Sequence, residues 1–172
     1  GDTPATSEAG DAFWSNEEKV ITIQNELYTA IVSSNGGGSL LSFSFKNYLN
    51  KDSVGVDLIN GKNTENLSIR FKNLDGENID LYGPWRYSGS FTGGEIYRPL
   101  SLEFSIEALP GKTIVKTLTF YPDTYLIDVS VDMGSVAQGV FGGTYSFGWY
   151  GGLVPSEENE KDDLVYFQSF VY

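Results

Sequence analysis

Two side chains that carry much of protein chemistry are missing altogether: the 172 residues contain no histidine and no cysteine. Without His the chain lacks the usual general base near neutral pH and the commonest metal ligand. A Ser-His-Asp triad, a Cys-His pair and a His-based zinc site therefore cannot be built. Without Cys there are no disulfides and no thiolate chemistry, although a Cys-free chain suits either redox compartment. Positive charge is scarce as well. Eleven Lys and Arg stand against 23 Asp and Glu, for a net charge of −12. That argues against nucleic acid, whose phosphates must be neutralised by Lys and Arg, and against direct docking on anionic lipid. No run approaches the ~20 apolar residues of a membrane helix, and no basic, apolar signal segment opens the chain. As it stands the chain is expected to be soluble. Gly1 reads as a tag-cleavage scar, so the natural protein is expected to begin upstream.

What is present points to β structure. Residues 1–18 are small, polar and acidic, with five carboxylates and no base, which is the composition of a flexible linker interrupted by Phe13-Trp14. Residues 19–172 are read as one β-sandwich domain. Within it Leu41, Phe43 and Phe45 alternate with Ser42, Ser44 and Lys46. Leu100, Leu102, Phe104 and Ile106 alternate with Ser101, Glu103, Ser105 and Glu107, and Tyr125, Ile127, Val129 and Val131 follow the same rule. A period of two places each apolar set on one face of a pleated strand, as in antiparallel sheets packed on one side. Leu74-Asp75-Gly76-Glu77, Pro110-Gly111 and Pro122-Asp123-Thr124 supply turns between these runs. No helical period exceeds two turns. The fold class is all-β, with stacked, mainly antiparallel sheets. The stretch from Leu164 to Tyr172 reads as a further strand, which either pairs at the end of a complete domain or belongs to a larger fold.

Three segments in order resemble the large extracytoplasmic domain of the YidC branch of the YidC/Oxa1/Alb3 insertases. The first runs from Ile21 to Tyr28, through Ala30-Ile31-Val32 to Asn35-Gly36-Gly37-Gly38, and ends on Lys46-Asn47-Tyr48. The second is Lys116 to Val129, similar to a family strand pair of pattern K-x-F-x-F-x-x-x-x-Y-x-I-x-V. The third is Trp149-Tyr150-Gly151-Gly152-Leu153, then Glu157 to Asn159 and Asp163 to Tyr166, with Ser156 where some branches have Thr. The resemblance implies a β-supersandwich like that of galactose mutarotases, on the periplasmic side of the bacterial inner membrane as part of a multi-pass protein. It also implies that the domain continues past Tyr172. Its implied partners are the transmembrane insertase core, the Sec translocon with SecDF, and nascent membrane proteins. The family's insertase activity resides in membrane helices and cannot be carried onto any residue here, so the chain is expected to be non-catalytic, with no cofactor and no metal.

The residues agree with that expectation. Mutarotases pair a His acid with a Glu base, and here the His is missing. Glu157, Glu158, Glu160, Asp162 and Asp163 could form a glycosidase pair or a Ca²⁺ site, but five acids around Lys161 read first as a solvated loop, without the spacing of a calcium loop. Gly36-Gly37-Gly38 lacks the Lys-Ser or Lys-Thr of a phosphate cradle and reads as a hairpin turn. Gly93-Gly94, Gly142-Gly143 and Gly151-Gly152 are likewise turn or bulge positions. Binding candidates are aromatic: Trp85 and Tyr87, and Trp149 and Tyr150, large rings suited to a peptide, sugar or protein surface. Trp85 and Tyr87 read equally as core or surface, whereas the alternating Tyr145, Phe147 and Trp149 are expected to fill the core. Trp85 and its neighbours leave one reading of a different class, a stand-alone carbohydrate-binding β-sandwich.

Overall fold

A computed structural model of the chain describes residues 17–50, 52–59, 61–62, 64–150 and 152–153. The linker expected over residues 1–18 lies outside them except for its last two residues, as do the acidic run from Glu157 to Asp163 and the strand expected from Leu164 to Tyr172. Glu18 accepts hydrogen bonds from Ser33 Oγ (2.5 Å) and Asn35 Nδ2 (3.1 Å).

The described chain is nearly all β. Strands β1 (Val20–Gln24), β2 (Tyr28–Ser33), β3 (Ser39–Leu49), β4 (Gly55–Asp57) and β8 (Gly94–Glu95) form one sheet, in the order β4-β3-β2-β1-β8. A second sheet has the order β11-β10-β9-β7, from β7 (Arg86–Tyr87), β9 (Leu100–Leu109), β10 (Lys112–Phe120) and β11 (Ile127–Asp132). The third is β12-β5-β6, from β5 (Ser68–Asn73), β6 (Asn78–Asp80) and β12 (Val140–Gly148). All pairings are antiparallel except β1 with β8. A 3-10 helix, Gly134–Gly139, leads into β12.

The period-two runs become these strands with their inward residues buried. Leu102 and Phe104 of β9 and Ile114, Leu118 and Phe120 of β10 are fully enclosed, and the facing sheet contributes Ile23, Tyr28, Ala30 and Val32. One phase differs from expectation. Ile31 pairs with Ser42 but Val32 pairs with Leu40, so Leu41 is the extra residue of a β-bulge. The bulge resets the alternation, and Leu40 with Phe43, rather than Leu41, enters the core.

The turn Gly36-Gly37-Gly38 joins β2 to β3 with φ of 61°, 72° and 102°. It is buried against the core. A Cβ on Gly37 would lie 2.6 Å from Trp85 Cε3, and one on Gly38 would lie 2.8 Å from Leu118 Cδ1. Glycine is needed for backbone conformation and for space alike. Asn side chains complete the frame. Asn25 Oδ1 accepts from the Leu27 and Tyr28 amides. Asn66 pairs with both backbone groups of Leu40, tying the segment before β5 to β3.

Candidate interaction surface

A sheet's terminal strands leave N–H and C=O groups open to pairing, and soluble proteins blunt them by shortness, charge or proline. Most terminal strands here follow that practice: β4 and β6 have three residues, β7 and β8 have two, and β11 places Asp128 and Asp132 on its outer face. Strand β12 does not. It is nine residues long, carries neither charge nor proline, and pairs only with β5 among the described residues.

Its side chains are equally unguarded. Tyr145 stands opposite Phe71 and Phe147 opposite Ile69, so they share the inward face of the sheet. Ile69 and Phe71 are buried, but Tyr145 is 49% exposed and Phe147 43%. Trp149, also exposed, extends this apolar row, whereas Phe141 is exposed on the opposite face, next to the buried, inward Val140. The expectation that Tyr145, Phe147 and Trp149 fill the core is thus corrected: they lie on the core-facing side of a strand that overhangs what the core covers. At the start of β12, Gly142 and Gly143 (φ 65° and 67°) carry a register break between Val140 and Tyr145, a bulge as the glycine pair suggests.

Polar groups flank the row. Arg70 donates to Asp80 (3.0 Å) and to Glu65, and its guanidinium lies 4.1 Å from the centre of the Tyr150 ring. Tyr150 donates through its amide to Glu65 O (2.9 Å) and through its hydroxyl to Ser146 Oγ (3.3 Å). Trp149 Nε1 donates to Gly152 O (3.1 Å). Arg70, Lys72, Phe141, Thr144, Tyr145 and Ser146 line an open recess of ≈ 350 Å³ beside the bulge. This arrangement can accept an extended segment by strand addition to β12, with aromatic contacts on one face and a cationic rim on the other.

Of the residues singled out from sequence, Trp149 and Tyr150 belong to this surface and Trp85 and Tyr87 do not. Trp85 has no exposed surface, and its indole donates to Leu81 O (2.9 Å). Tyr87 is half-buried against Phe104, with its hydroxyl donating to Phe91 O (3.1 Å). Burial pushes the Tyr87 phenol up, partly offset by the Phe91 carbonyl contact. Sequence reasoning missed Arg70, Lys72 and Phe141. A signal existed for the first two, since Arg70 and Lys72 alternate with Ile69 and Phe71. Among the described residues no three His, Cys, Asp or Glu side chains gather as a metal site would need.

Residues 20–161 match the family model described as the YidC periplasmic domain. The chain is 31% identical over 166 residues to a membrane protein insertase YidC of Prosthecochloris aestuarii, covering 94% of this chain and 28% of that protein. It is 32% identical over 152 residues to the protein of that name from Chlorobaculum parvum, covering 85% of this chain and 25% of the relative. The chain thus spans about a quarter of the length of the curated relatives it matches. No solved structure matches. With the family pattern spread over most of an all-β chain, this polypeptide belongs to the YidC periplasmic domain family.

Proposed function

We propose that this chain is a non-catalytic, periplasm-facing docking domain of an inner-membrane insertase. It assists insertion and folding of membrane proteins by engaging envelope partners, such as the Sec translocon with SecDF, or segments emerging from the membrane. The observation that carries this reading is β12: a long strand with no charge, terminal among the described residues and backed by an exposed aromatic row. A protein that maintained such a strand without using it would carry an association hazard. The non-catalytic part is supported by the lack of His and Cys. Among the described residues no helix is long and apolar enough to cross a membrane, so membrane attachment would come from the rest of the full-length protein.

The test is photo-crosslinking in the full-length insertase in its membrane. A photoreactive residue at Tyr145 is expected to give adducts with envelope proteins, while one at Ser130, exposed on β11 of another sheet, gives none. Equal adducts from both positions, or none from Tyr145, would sink the reading. The carbohydrate-binding reading required an exposed Trp85. With that ring in the core it loses its main support.

A further inference from the structure

Lys116 is the one charged side chain fully enclosed in the described core. It occupies an inward position of β10 between Ile114 and Leu118, opposite Phe104 on β9 and Val131 on β11. A lysine is almost never buried so completely without a partner. Here the partners are two backbone carbonyls from the other two sheets. Nζ donates to Gly36 O (2.8 Å), in the β2–β3 turn, and to Leu67 O (2.6 Å), immediately before β5. Both acceptor residues have left-handed backbones, φ 61° at Gly36 and 54° at Leu67. For Leu67 that conformation costs free energy and persists only where its surroundings hold it. The Phe147 ring of β12 completes the environment, its centre 5.8 Å from Nζ. One amine therefore meets all three sheets at the root of the β5–β12 edge.

No carboxylate among the described residues lies within ion-pair distance of it. The charged groups on the elements around it face elsewhere: Glu103 and Glu107 on the outer face of β9, Asp128 and Asp132 on that of β11, and Lys112 at the start of β10. Near β5, Glu65 and Arg70 are engaged with each other, and Lys72 is exposed. The β2–β3 turn and β12 carry no charged residue.

We propose that Lys116 is the positioning residue of the β5–β12 edge: its amine pins the entry of β5 to the Gly36 turn and so holds the aromatic row of β12 in place from behind. Its importance for docking rests on the reading of β12 given above, whereas the pin itself is tested without any partner. A neutral amine has two N–H groups for the two carbonyls, and an ammonium brings a third that these acceptors do not meet. Burial accordingly pushes Lys116 down to about 7. The unfolded chain keeps its lysine protonated until about 10.5. Between those values the unfolded state binds more protons, and stability rises with pH, by up to about tenfold in the folding constant per pH unit.

The experiment compares the 172-residue chain with Lys116→Met and with Leu118→Ala, a cavity one inward position along β10. Amide exchange at Ile69, Phe71 and Phe147 is expected to quicken at least about tenfold in Lys116→Met, with Ile21 and Ile23 little changed, whereas Leu118→Ala quickens both sets. The rise of stability with pH is expected to flatten in Lys116→Met. Uniform quickening, no quickening, or an unchanged pH profile overturns the proposal. Should Lys116→Met fail to fold, NMR of the unaltered chain decides: nuclear Overhauser contacts from the Lys116 side chain to both Gly36 and Leu67 sustain the pin, and their absence removes it. Crosslinking at Tyr145 is read separately, so loss of the pin and loss of the docking reading are told apart.

Discussion

Gly37 and Gly76 both have left-handed backbones, with φ of 72° and 83°, yet their surroundings differ completely. A Cβ at Gly76 meets nothing within 4 Å, while one at Gly37 would strike the Trp85 ring. Gly76→Ala should therefore cost only the backbone term, about 1 kcal/mol. Gly37→Ala adds overpacking, for a total of about 2–4 kcal/mol. Urea unfolding midpoints of the two variants check this, and equal losses would count against the buried-turn account. Trp85→Phe should cost about 2–4 kcal/mol in the same assay, since it removes ring volume and leaves Leu81 O without its indole donor. None of this was legible locally. The segment around Trp85 has no alternation, and its burial comes from the approach of a turn nearly fifty residues earlier in the chain. The sequence showed that Gly36-Gly37-Gly38 turns, because glycine's freedom is a local property. It did not show what the turn packs against.

Among the elements, β9 and β10 were readable almost to their ends, because Pro110-Gly111 punctuates two runs whose apolar sets all face one core. Strand β3 was readable in kind but not in phase, since the bulge at Leu41 depends on its pairing with β2. Strand β12 shows the limit most clearly. Alternation of Tyr145, Phe147 and Trp149 reported a shared face, and that face is indeed the one holding Ile69 and Phe71. Period two, however, cannot say whether anything lies over the face. The exposed position of Tyr145 also makes it separable. Tyr145→Lys should leave unfolding free energy within about 1 kcal/mol of the unaltered chain. In the full-length protein, co-purification of envelope partners should drop, because a charge on the strand edge opposes pairing. Unchanged co-purification would remove β12 as the docking strand.

For the molecule as a whole, charge and topology set the behaviour. With a net charge of −12 and Arg70 holding the described ion pairs, self-repulsion outweighs salt-bridge attraction. Raising NaCl from about 20 mM to about 300 mM should therefore raise the melting temperature by a few degrees, as screening relieves repulsion. A fall would show that specific ion pairs dominate. Composition and period two determined the fold class, the turns, and the exclusion of His- and Cys-based chemistry, because these depend on residue types and neighbours a few positions apart. Three ordered motifs sufficed to reveal the family. Only the tertiary structure decided that Trp85 is core, that β12 is an overhanging edge among the described residues, and that Lys116 lies where three sheets meet. Each of these depends on which distant strands come to lie against one another, and burial is a property of that assembly rather than of any one stretch of chain.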